Sequence, residues 1–229
     1  YNGTQNTTLT IGSSIATAGS AIFFASSVGK EIRNLNGTGK AKITAYTSST
    51  QVSITIIRDF STNSLTANNW AIAIQEVSGL THLIGASVES NGDGATDPKS
   101  KTVNAEGKIT LENFASIIHV GLKYKSTFTS YPIESKKLLQ TIGSQQNKQL
   151  RITELAIKFF TSRAGSIVID GKTLPIISRD LNDNMNEAPT FKDGVKLISV
   201  AGDWGYDRKY SIIQEEPQAM NIKNITCEV

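Results

Sequence analysis

The chain has a single cysteine, Cys227, and only two histidines, His82 and His119, among 229 residues. One thiol cannot close an internal disulfide or build a cysteine-based zinc cluster, and two histidines cannot form a multi-histidine metal site. Proline is scarce at 5 residues and charged residues reach only 19%, below the usual quarter. No apolar run approaches the roughly 20 residues that a membrane-spanning helix needs. Neither sign of charge dominates: 23 Lys and Arg against 20 Asp and Glu leave +3, too little to argue for a nucleic-acid groove or an anionic membrane surface. The chain opens at Tyr1 without an initiator methionine, a charged n-region or an apolar h-region. It reads as processed or cut from something longer.

Serine, threonine and asparagine fill the place left by charge, and they favour turns and strands over helices. Apolar residues recur with period two. In residues 41–58, Ile43 and Ala45, then Val52, Ile54 and Ile56, alternate with Lys42, Thr44, Gln51, Ser53 and Thr55. Two such runs around Thr47-Ser48-Ser49-Thr50 predict a β-hairpin. Further strands are expected at 21–24, 70–74, 84–89, 108–111, 117–120, 123–129, 151–160, 167–169, 195–200, 210–214 and 222–229. Only residues 134–142 carry helical spacing, through Leu138, Leu139 and Ile142, closed by Gly143. The fold class expected is all-β: a β-sandwich at 79–229 with a smaller, hairpin-rich N-terminal β-module at 1–78, and at most one short helix. No repeat of fixed period is visible. Phe23, Trp70, Ile118 and Trp204 are the expected core anchors.

Each motif that could carry chemistry has a plainer reading. Asp180, Asn182 and Asn184 imitate the start of a calcium loop, but Met185 stands where glycine is required and Phe191 where a bidentate glutamate is required. A solvated loop ended by Pro189 accounts for them. Asn91-Gly92-Asp93-Gly94 lacks the Lys-Ser/Thr and the helix of a phosphate cradle and reads as a hairpin turn. His82 and His119 have no nucleophile at recognisable spacing and read as structural. Asp203, Asp207, Glu215 and Glu216 could in principle pair as a glycosidase's carboxylates, but nothing in the sequence pairs them. Lys123, Lys125, Lys136 and Lys137, interleaved with Tyr124, Phe128 and Tyr131, suit single-stranded nucleic acid only superficially. Strand-surface lysines beside core aromatics explain them. The expectation is therefore no enzyme: no catalytic, cofactor-binding or metal residue, and no cofactor.

One ordered series goes further. Gly79-Leu80-Thr81-His82-Leu83-Ile84-Gly85, Val88 and the Asp93-Gly94 turn precede Gly107-Lys108-Ile109-Thr110-Leu111 and Ala115-Ser116. Ile118-His119-Val120-Gly121-Leu122, Tyr124-Lys125-Ser126-Thr127 and Pro132-Ile133-Glu134 follow. In order and spacing this run resembles the tail tubular protein B family, the nozzle of podovirus tails. So do Ile22-Phe23-Phe24-Ala25-Ser26, Gly29-Lys30-Glu31-Ile32-Arg33, Gly39-Lys40-Ala41, Ile43-Thr44-Ala45 and Trp70. Near the end, Arg151-Ile152, Asp203-Trp204, Ile212-Ile213-Gln214 and Pro217 extend the likeness. Lys123 replaces a proline expected after Gly121-Leu122, and Pro217-Gln218 lacks a second proline.

The resemblance implies a virion structural protein, assembled in the host cytoplasm and resident in the tail. It implies a homo-oligomeric, usually hexameric ring below an adaptor ring, which contributes to the DNA exit channel and anchors tail fibres or spikes. DNA would pass transiently without specific binding, and no membrane span is expected. The chain would represent the C-terminal half or third of such a subunit. The alternative is a glycan-binding β-sandwich module of a phage receptor-binding protein or adhesin, with exposed aromatics such as Tyr46, Tyr131 or Tyr206 as sugar platforms. A hydrolase built on carboxylates is a third possibility.

Overall fold

The computed structural model describes residues 1–133, 149–178, 188–200 and 202–228. The protein is all-β, and two compact units divide it, Tyr1–Leu122 and Lys123–Val229. The expected helix at 134–142 and the loop at 180–187 lie outside the described residues.

The first unit holds β1 (Leu9–Ile11), β2 (Ile15–Ala18), β3 (Glu31–Asn34), β4 (Lys40–Ser48), β5 (Gln51–Arg58), β6 (Ser64–Leu65) and β7 (Trp70–Val77). It continues through β8 (Ser87–Gly92), β9 (Ala95–Thr96), β10 (Lys101–Thr102), β11 (Ile109–Ala115) and β12 (Ile118–Leu122). The hairpin expected at 41–58 is β4–β5, turning at Ser49-Thr50. All pairings are antiparallel, and the longest sheet runs β11-β7-β3-β4-β5-β2-β1-β6. The N-terminal segment pairs at two places in this order. Gly3 and Gln5 exchange backbone hydrogen bonds with Ile72 and Trp70 of β7, while Leu9–Ile11 pair with β2. The N-terminal segment thereby links β7 to β2 across the sheet.

Unit one is built twice on one plan. Phe24 and Leu80 each accept a hydrogen bond from the residue three positions on, at 2.8 Å, forming single 3-10 turns at Ala25–Ser27 and Thr81–Leu83. Each turn runs into a type II turn. Val28 (φ −59, ψ 134) is followed by Gly29 (φ 89), and Ile84 (φ −53, ψ 129) by Gly85 (φ 78). Position i+2 of this turn requires positive φ, hence glycine. The glycine N–H then donates to Ile43 O in one case and Val103 O in the other, and those residues donate back to Lys30 O and Ala86 O. The strands that follow correspond as well: β7-β3-β4-β5-β2 in the first set, and β12-β8 with β10, β11 and β7 in the second.

Each set has its own core. Leu9, Phe23, Ile32, Ile43, Val52 and Trp70 belong to one; Val77, Val88, Val103, Ile109, Leu111 and Ile118 belong to the other. Strand β7 serves both, with Trp70 and Ile72 in the first core and Val77 in the second. The boundary expected at 78/79 falls between these two cores. The compact units divide at 122/123 instead, because β11 pairs back onto β7 across that boundary.

The second unit contains β13 (Ser126–Thr129), β14 (Glu154–Ser162), β15 (Ser166–Ile169), β16 (Lys172–Pro175), β17 (Lys192–Ser199), β18 (Tyr210–Gln214) and β19 (Ile222–Glu228). Sheets β13-β18-β15-β16 and β17-β14-β19 form a sandwich. Ile167, Ile169 and Ile212 of the first sheet pack on Leu155, Ile157, Phe159 and Ile198 of the second. Alternation along β14 produces this: Leu155, Ile157 and Phe159 face in, while Glu154, Ala156, Lys158 and Phe160 face out. The sandwich thus lies within 123–229 and does not begin at 79.

Three of the four expected anchors are buried: Phe23, Trp70 and Ile118. The fourth is not. Trp204 is 64% exposed. Residues 21–24 are not a strand either. They lead into the 3-10 turn at Ala25–Ser27, with Phe23 in the core and Phe24 in solvent.

Candidate functional site

The residues singled out in the sequence do not converge on one place. His82 lies on the second 3-10 turn and His119 on β12, and both are exposed. Asp93 and Gly94 form the two-residue turn of the β8–β9 hairpin, with φ of 52° and 84°, as a type I′ turn requires. This turn is spent within the fold: its Asp93 N–H donates to the Ile117 carbonyl at 2.8 Å, and the Asp93 side chain is itself the anion that the neighbouring amides hold. Asp93 accepts hydrogen bonds from the Ser116 N–H, the Ser116 hydroxyl and the Ile117 N–H at 2.7–3.0 Å, and from Arg33 at 2.8 Å. Arg33 also donates to Glu31 and to the Phe114 carbonyl. The cluster ties β3 to the Asp93-Gly94 turn and to the segment joining β11 and β12.

A second charged cluster joins Asp97, Lys101 and Glu112. Lys101 Nζ lies 2.9 Å from Glu112 and 3.6 Å from Asp97, and Asp97 accepts the Glu112 N–H at 3.1 Å. Hydrogen bonding to Glu112 raises the Lys101 pKa, and the same contact lowers that of Glu112. Both charges are therefore held on. A cavity of about 60 Å³ opens beside Asp97, Asn113 and Phe114, room for about two waters. That is too small for a substrate.

In the sandwich, Asp170 sits at φ 49° in the turn between β15 and β16. It pairs with Arg208 and accepts the Asp203 N–H at 3.0 Å. Gly205 and Leu150 exchange two backbone hydrogen bonds of 2.8 and 3.0 Å. A Cβ on Gly202 would lie 2.8 Å from the Ile152 carbonyl oxygen, so this loop lies tight against the segment that leads into β14. The pinned segment holds Trp204 and Tyr206 outward, with the Arg151 guanidinium 5.8 Å from the Trp204 ring centre.

The four carboxylates weighed as a hydrolytic set are not brought together by any described contact. Asp203 contributes its backbone to the Asp170 cluster, and Glu215 is paired with Lys125 at 2.6 Å. That lysine holds the Glu215 carboxyl below its usual range. Lys125 is thereby occupied, and the Phe128 ring lies tilted against that of Tyr210, centres 6.5 Å apart, although Tyr124 and Tyr131 remain exposed. Cys227 is half-buried, and desolvation pushes its thiol up to about 11, unsuited to nucleophilic work at neutral pH. Among the described residues no cluster of His, Cys, Asp and Glu could hold a metal ion, and no helix is long and apolar enough to cross a membrane.

Sequence reasoning missed Trp204 as a surface residue because hydrophobicity alone places tryptophan inside. The flanking Gly202 and Gly205, with Asp203 and Asp207, are the signal that would have placed it on a loop. Compared with known proteins, the chain matches no family model and no curated protein significantly.

Proposed function

We propose that the protein is a structural component of a short-tailed bacteriophage tail, a nozzle subunit that forms a ring around the DNA exit channel and supports genome ejection and fibre attachment. The observation that carries the reading is where the family-like run falls. Gly85 supplies the positive φ of a type II turn, Asp93-Gly94 the hairpin turn, and Val88, Ile109, Leu111 and Ile118 the second core of unit one. Motif residues spent on turns and packing suit a protein whose work is to hold a shape. The charge distribution suits it too. Lys and Arg equal Asp and Glu in residues 1–122, at 8 each, and the whole excess of +3 belongs to 123–229. A channel that releases DNA is served by weak, non-specific attraction, since every neutralised phosphate adds to the grip.

The test is light scattering followed by negative-stain imaging of the purified chain, alone and with a candidate adaptor ring. Closed rings near six times 24.7 kDa are expected in the presence of the adaptor ring. A chain that never closes into rings under either condition overturns the reading.

One observation favours a second reading, a glycan-binding module. Trp204 and Tyr206 are exposed on a loop pinned by the Asp170–Arg208 pair, and Tyr46 and Tyr131 are exposed as well. Preorganised aromatics bind at low entropic cost. A glycan array scored by the loss of hits in Trp204→Ala decides it, and an array without hits removes it.

A further inference from the structure

The outer face of the β17-β14-β19 sheet departs from the rule that a solvated sheet face is polar. Register sets its residues in rows across the three strands. Ser199, Glu154 and Glu228 form the first row, Leu197, Ala156 and Thr226 the second, and Val195, Lys158 and Asn224 the third. Beyond them lies Phe160, with Lys223 Nζ 4.2 Å from its ring centre. Val195 and Leu197 are each 59% exposed, an apolar stripe along an edge strand, where natural sheets usually place charge. In the first row, Glu154 of the central strand and Glu228 of the other edge strand sit directly across from one another, a like-charge pair that destabilises a sheet. Neither makes an ion pair with any described residue.

These features complement one another under a two-fold rotation. Consider a second copy laid face to face, turned about an axis in the sheet plane and perpendicular to the strands. The rotation keeps each strand over its own counterpart and reverses its direction. Val195 then meets Leu197 of the other copy, and Leu197 meets Val195. The row of Glu154 and Glu228 lies over Phe160 and Lys223. One operation covers the apolar stripe with apolar stripe and sets a lysine against the paired glutamates. We infer that this face is a contact between two copies of the chain.

The size suits a reversible pair. Three strands about 4.8 Å apart and seven residues long make a face of about 14 by 23 Å. With side-chain relief, two such faces bury on the order of 1,000 Å², near the lower bound for a specific interface. A two-fold contact uses one patch twice and a ring uses two different patches, so the inference stands apart from the tail reading.

Sedimentation equilibrium over a range of concentration and salt tests it. The expected mass rises toward twice 24.7 kDa with concentration and falls with added salt. Leu197→Asp and Glu228→Lys each shift the midpoint at least tenfold toward monomer. Their side chains point to solvent, so circular dichroism and melting stay those of the parent. Lys223→Glu combined with Glu228→Lys restores association, which keeps the test decisive even if Leu197→Asp perturbs folding. A monomer at every concentration overturns the inference, as does an assembly that neither Glu228→Lys nor Leu197→Asp alters.

Discussion

At the scale of single residues, the two tryptophans make the sharpest contrast. Trp70 has no exposed surface and donates its indole N–H to the Thr7 carbonyl at 2.7 Å, whereas Trp204 stands in solvent. Trp70→Ala is expected to cost about 3–5 kcal/mol and Trp204→Ala about 0.5 kcal/mol or less, read as midpoints of urea unfolding. Equal losses would refute the burial assigned to the two rings. Asp93→Ala strips partners from two backbone amides, a hydroxyl and Arg33, and should cost about 2–3 kcal/mol by the same measurement. Cys227 sets a pH dependence. Its thiol titrates near 9.0 when unfolded and about 11 when folded, so the unfolded chain ionises first as pH rises. Stability from this group is whole below pH 9 and declines as pH climbs toward 11. Urea midpoints across that window should fall less steeply in Cys227→Ala than in the parent. Residue type alone fixed neither tryptophan's place. Trp70 opens a continuous apolar run, Trp70 to Ile74, that marks a buried strand, but Trp204 depends on a loop anchored by Asp170 and Arg208, partners distant in sequence.

At the scale of elements, strands with strict alternation were legible and short ones were not. Residues 41–58 announced β4 and β5 through five well-spaced apolar side chains. Strands β1, β2 and β6 are two to four residues long and rich in Ser and Thr, too brief for a period to register. The repeat was hidden for another reason. Gly29 to Gly85 is 56 positions and Ile43 to Val103 is 60, because the β8–β9 hairpin lengthens the second copy. Backbone geometry reveals what drifting spacing concealed. A Cβ at Gly29 or Gly85 would touch nothing within 4 Å, so the cost of alanine there is conformational alone. Gly29→Ala and Gly85→Ala should each lose about 1 kcal/mol, and by nearly the same amount. Gly39→Ala should lose more, since the Phe60 ring fills the space. Thermal unfolding of the three variants checks both statements.

For the whole molecule, two compact units with separate cores imply separable folding. Residues 1–122 expressed alone should give a cooperative thermal transition and a β-type circular dichroism spectrum; a non-cooperative melt would contradict the division at 122/123. The sequence boundary at 78/79 erred because a junction between two cores resembles a junction between two domains when only composition is read. No described residue cluster singled out a site in the sequence, since motif residues went into turns and packing. Strand β7 carries the last consequence. It is a party wall: one house cannot be demolished without opening the next. A break within Trp70–Val77 should unroof both cores at once, while an insertion beyond β12 touches neither. The same wall makes extension cheap for such a chain, because a third room would need four new strands and borrow its fifth.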